Sequence, residues 1–162
     1  MRSLIVLAAL VAVAALLGSP STGATTPSCA TASLVLWTSD GEGAAGSVYR
    51  TLELTNQSGH ACVLLGYPGV SAVDLHGHAL GAPASRATGT PSRVTLQNGD
   101  AARATLRIAQ AANFPAARCK RTAAAGVRVY PPGQTESKTI PFPFEACTLH
   151  GVVYLSVGPV RR

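Results

Sequence analysis

The chain has 162 residues, 47% hydrophobic and 5% aromatic, with 13 basic and seven acidic side chains for a net charge of +6. That length suits a single domain that can bury a core without a metal to hold it. The basic side chains are scattered, clustered only at Arg118-Cys119-Lys120-Arg121 and at the tail Arg161-Arg162, and aromatics are scarce, so the charge does not point to nucleic acid, which needs the two interleaved on one surface.

Met1-Arg2-Ser3 is followed by an apolar run, residues 4–17, and then by Gly18-Ser19-Pro20-Ser21-Thr22-Gly23-Ala24. A charged start, an apolar centre and a small-residue end are the parts of a cleaved secretory leader. The run is short for a bilayer span of about 20 residues, and Pro20 favours cleavage. The expected cut follows Ala24, leaving residues 25–162 as one domain, secreted or held in the cell envelope, with no later transmembrane segment. Arg2 leaves with the leader, so 12 basic and seven acidic residues remain, a charge of +5. Cys29 lies close to the cut, but Pro27 is a poor fit to a lipid-attachment site.

The four cysteines are Cys29, Cys62, Cys119 and Cys147. An even number in an exported chain predicts disulfides. Three pairings are possible; the simplest joins neighbours along the chain, Cys29 to Cys62 and Cys119 to Cys147. No close Cys-x-x-Cys pair suggests a metal site, and an even count leaves no spare catalytic thiol.

Alternation of apolar and polar residues predicts the strands. Residues 32–38 put Leu34 and Leu36 on one side and Val35 and Trp37 on the other. Residues 41–46, rich in glycine, read as a flexible loop. Residues 47–56 form a long strand with Val48, Leu52 and Leu54 facing in and Tyr49, Thr51, Glu53 and Thr55 facing out. Residues 56–59 turn the chain, and 62–65 read as the hairpin return. Asn56-Gln57-Ser58 has the form of a glycosylation acceptor but reads as turn chemistry. Residues 70–76 are a further strand, ended by Gly77. Residues 81–92 read as a long irregular loop. Residues 93–97 and 102–108, joined by Asn98-Gly99, read as one hairpin whose outer face carries Arg93, Arg103 and Arg107. The alanine-rich stretch 109–124 allows a helical turn limited by Pro115. Residues 126–130 are a strand, 137–144 an edge strand because of Pro141 and Pro143, and 152–157 the last strand, with Val153, Leu155 and Val157 on one side. Eight or nine short strands without a long helix predict an all-β, antiparallel sandwich of immunoglobulin-like arrangement.

Four motifs occur in order: Gly-Ala-Ala-Gly-Ser at 43–47, Leu-Thr-Asn-x-Ser-Gly-x-x-Cys at 54–62, Gly-Tyr-Pro-Gly-Val-Ser at 66–71 and Val-Tyr-Pro-Pro-Gly-Gln-Thr at 129–135. With them the chain resembles an exported actinobacterial family, domain of unknown function 4232. The resemblance implies an envelope or secreted setting, a β-sandwich and the neighbour-to-neighbour cysteine pairs. It brings no catalytic residue to transfer. The motifs themselves read as turn architecture.

For chemistry, His76 and His78 are the metal candidates: positions i and i+2 of a strand face the same way, and Asp74 shares that face. No third histidine, methionine or cysteine stands near. No Gly-x-Ser-x-Gly elbow, phosphate loop or dinucleotide fingerprint occurs, and the carboxylates suggest no glycosidase pair. The expectation is therefore a non-enzymatic binding module without a cofactor, its partner an envelope protein or an anionic cell-wall polymer. Trp37, Tyr49, Tyr67 and Tyr130 are its candidate contact aromatics. The alternative is a copper or zinc carrier using His76 and His78.

Overall fold

The computed structural model describes residues 25–162. The expected leader, residues 1–24, lies outside the described residues. Twelve strands among the described residues build three sheets. They are β1 (Leu34–Thr38), β2 (Glu42–Ala44), β3 (Ser47–Asn56), β4 (Cys62–Leu65), β5 (Gly69–Val73), β6 (Ala79–Leu80), β7 (Ser85–Arg86), β8 (Arg93–Leu96), β9 (Ala101–Ala109), β10 (Arg121–Tyr130), β11 (Lys138–Cys147) and β12 (Leu155–Val157). One helical turn, α1 (Ala116–Cys119), precedes β10. The largest sheet runs β1-β3-β9-β12-β7, with β2 also paired to β3; a second runs β11-β10-β5-β6; β4 and β8 form a two-stranded third. All pairings between these strands are antiparallel except β12 with β7.

The alternation in the sequence sets the layers. Leu52 and Leu54 of β3, Leu106 of β9, Leu155 and Val157 of β12, and Val127 and Val129 of β10 are all sealed in one core. Each such side chain contributes about 1.5–3 kcal/mol by leaving water. The expected all-β, sandwich-like fold with two disulfides is what forms. The sulfurs join Cys29 to Cys62 and Cys119 to Cys147, and no described cysteine is free.

Pairing partners differ from the sequence reading in several places. Residues 62–65 do not return along β3; β4 pairs with β8, with Cys62 opposite Leu96. The Asn98-Gly99 turn exists, with Gly99 at φ 88°, but its arms part. β8 joins β4, while β9 joins β3. Asn56 explains both corrections. Its buried side-chain amide donates to the carbonyls of His60 (2.8 Å) and Leu96 (3.1 Å), and its oxygen accepts from Ser58 N–H (3.0 Å). The backbone of Asn56 bonds Asp100 and Gly99. One residue thus pins two turns and sends β4 and β8 away from the sheet that β3 and β9 share.

Residues 41–46 are not a loop. β2 doubles back on β3 through Ala45 and Gly46, at φ 45° and 70°. Two left-handed residues make the turn whose twist matches a hairpin. Within 81–92 there is further order, since β7 lies along β12. β10 begins at Arg121, not 126, directly after α1. β12 is shorter than expected, and Val153 points to solvent while Val152 and Tyr154 are buried. β5 stops at Val73, so His76 lies in a turn rather than a strand.

β11 is the edge its prolines required. Its register slips between Ala124 and Gly126, so Phe142 and Pro143 together face Ala125. Proline, lacking an N–H, is accommodated at such a bulge and edge. Opposite, Gly126 is indispensable for contact: a Cβ there would collide with the Ile140 carbonyl.

Candidate functional site

The outer face of the large sheet is laid out in three rows across the strands. In the first, Trp37 of β1 is opposite Glu53 of β3, which is opposite Arg103 of β9. Arg103 in turn forms an isolated antiparallel bridge with Arg161. In the third row, Glu42 is opposite Tyr49, Tyr49 opposite Arg107, and Arg107 opposite Ser156. Between them lie small side chains only, Thr51 opposite Thr105, with Gly158 N–H donating to the Thr105 carbonyl at 2.9 Å. Two rows of large residues flanking a row of small ones make a groove.

At its basic end the groove holds about 380 Å³ and is bordered by Arg103, Arg107 and Arg161 with Tyr49. Over Thr51 and Thr105 it meets a second hollow of about 420 Å³, bordered by Ser39, Asp40 and Glu42. The charges are unevenly spent. Glu53 accepts from the Trp37 indole N–H (3.0 Å) with one oxygen and from Arg103 (2.8 Å) with the other. This fixes the orientation of both. Arg107, Arg161, Asp40 and Glu42 have no ion pair among the described residues. Arg50, which also borders the second hollow, is otherwise engaged: it donates to the Ser39 carbonyl (2.6 Å) and stacks 4.4 Å from the Phe142 ring.

The four aromatics singled out from sequence separate into two kinds. Trp37 and Tyr49 are open to solvent, 46% and 38% exposed, on this face. Tyr67 is half-buried; its hydroxyl donates to the Gly89 carbonyl (2.7 Å), and Arg86 stacks over its ring. Tyr130 is half-buried against Gly69. Of the three arginines assigned to one hairpin, Arg103 and Arg107 share the groove, while Arg93 lies on β8 beside Arg161 and Arg162. Sequence reasoning missed Arg161, Asp40 and Glu42.

The histidine turn is compact. Asp74 accepts the amides of His76 (2.9 Å) and His78 (2.8 Å) on one oxygen and faces His78 Nδ1 at 3.1 Å with the other. The Asp74 carboxyl sits below its ordinary value. Partial desolvation pulls it up, but the hydrogen bonds of His78 and His76 and the nearby imidazole outweigh this. The two imidazole rings lie 6.0 Å apart. Arg128 donates to the Gly77 carbonyl inside the same turn. Among the described residues no three metal-ligating side chains converge.

A family model described as domain of unknown function, DUF4232, matches residues 29–161. The chain belongs to that family. Searches of the curated proteins and of the solved structures found no match. Two of the sequence motifs meet in the DUF4232 domain: Gly69 of the Gly-Tyr-Pro-Gly turn is opposite Tyr130 of the Val-Tyr-Pro-Pro turn. They meet where β5 begins and β10 ends, and the first is tied to the segment that carries Arg161: Val160 N–H donates to the Gly66 carbonyl at 2.9 Å. Among the described residues, no helix of the DUF4232 domain is long and apolar enough to cross a membrane.

Proposed function

We propose that this domain is a non-enzymatic binding module of the cell envelope or exterior, and that it holds an anionic cell-wall polymer on the outer face of its large sheet. The observation that carries this is the groove end bordered by Arg103, Arg107 and Arg161, of which only Arg103 is paired to a carboxylate, Glu53, among the described residues. Guanidinium forks match carboxylate and phosphate oxygens in pairs. Trp37 and Tyr49 supply flat apolar surface beside them. The two disulfides support an oxidising setting, where such bonds persist.

The test is retention on isolated cell walls. The wild type binds at low ionic strength and is released by salt, because exposed charges are screened within about 10 Å at 0.1 M. Arg107→Ala with Arg161→Ala abolishes retention, while Arg118→Ala with Arg121→Ala, at the other basic cluster, leaves most of it. Retention indifferent to salt and to both pairs would dismiss the reading. The second reading is a copper or zinc carrier, favoured only by the 6.0 Å approach of His76 and His78. Saturable metal uptake that His76→Ala and His78→Ala abolish would establish it.

A further inference from the structure

The groove is not simply basic. Its arginine end leads over Thr51 and Thr105 to Asp40 and Glu42; Arg103 is paired to Glu53, while Arg107 and Arg161 at that end and Asp40 and Glu42 at the other are in no ion pair among the described residues. From Glu42 to Ser156 the third row crosses β2, β3, β9 and β12, three strand spacings or about 14 Å. A ligand carrying only negative charge satisfies one end and is repelled at the other. One that carries ammonium groups as well as acid groups along the same chain satisfies both.

We infer that the groove selects a zwitterionic acidic glycan, its acid groups on Arg103, Arg107 and Arg161 and a free ammonium group on Asp40 and Glu42. This rests on the reading of the face as a site for an anionic polymer and names the polymer's chemistry. Tyr49 is suited to the sugar itself: its half-exposed ring borders both hollows and offers an apolar face to the C–H side of a pyranose.

The experiment uses two forms of one polymer. Heparin stripped of its N-sulfates exposes free ammonium groups; re-acetylating them keeps the remaining sulfates and removes the cations. Binding to the whole chain is followed by titration calorimetry at fixed low salt. The inference predicts that the free-amine form binds roughly two- to fivefold more tightly, the worth of one exposed ion pair. Bulk charge predicts the opposite, because a basic protein should prefer the more anionic acetylated form. Asp40→Asn with Glu42→Gln, both exposed positions, should erase or reverse the preference. Equal or tighter binding of the acetylated form to the wild type overturns the inference. If that binding still depends on Arg107 and Arg161, the anionic-polymer reading survives alone. If neither form binds, both fall.

Discussion

The phenol of Tyr154 donates a 2.8 Å hydrogen bond to the carbonyl of Leu80, 74 residues earlier in the chain. It ties the segment leading into β12 to β6 of the second sheet, and the ring is among the largest fully buried side chains. Tyr154→Phe keeps the ring and strips the donor, so the cost is that of an unpaired buried acceptor, about 1–3 kcal/mol. Denaturant unfolding at pH 7 measures it.

The same hydroxyl has a pH signature. Burial lifts the Tyr154 hydroxyl from 10.0 to about 12. The folded value lies above the unfolded one, so this contribution is complete below pH 10. It declines as pH rises towards 12, because the unfolded chain releases its proton first. Unfolding measured across that window should show a steeper loss for the wild type than for Tyr154→Phe.

The two disulfides span sequence separations of 33 and 28 residues. Constraint of the unfolded chain by loops of that size contributes about 3–4 kcal/mol each. Replacing Cys119 and Cys147 together by alanine should lower the melting temperature substantially, and so should replacing Cys29 with Cys62. Reduction of the wild type should lower it further than either pair alone. Calorimetry with and without reductant reads all three.

Ala45 holds φ 45° at the β2–β3 turn, where a side chain other than asparagine or glycine costs about 1–2 kcal/mol. Ala45→Asn builds the preferred Asn-Gly turn and should raise stability by up to about 1 kcal/mol. The neighbouring Gly46 carbonyl is already held by Asn113 at 2.7 Å, so the hairpin keeps its place. A thermal melt of the variant checks the direction.

Much of this fold was legible because a strand's two faces alternate. Residues 47–56 show it plainly: Leu52 and Leu54 face in, while Tyr49 and Glu53 face out, as the spacing required. Alternation names a face, not a neighbour; the pairing of β4 with β8 follows instead from Asn56, whose buried amide marks where the chain leaves the sheet. Ala45 hid the β2 turn, because alanine carries no signal for a left-handed backbone. The candidate groove was half visible. Arg103 and Arg107 are four apart on one strand and had to share a side. Arg161 reaches them only by the isolated bridge to Arg103; Glu42 falls in the glycine-rich 41–46 and Asp40 just before it, where alternation names no face.

Glu53 is the brake on the groove's charge, holding Arg103 and Trp37 at once. Glu53→Gln keeps the volume and an oxygen for the Trp37 indole, and because the Arg103 end of the pair is open to solvent the change should cost about 1 kcal/mol of stability. It should also free Arg103 and strengthen binding to an anionic polymer. Trp37 is the chain's single tryptophan, so its emission should shift in this variant and report binding directly.

The most direct test of the recognition face is backbone NMR of the oxidised domain during titration with a soluble acidic polysaccharide. Resonances of Tyr49, Thr51, Arg103, Thr105, Arg107 and Arg161 should move together, saturably, and return when salt is added. Movement confined to Arg118, Lys120 and Arg121, or to the turn of His76 and His78, with the groove silent, would contradict the account.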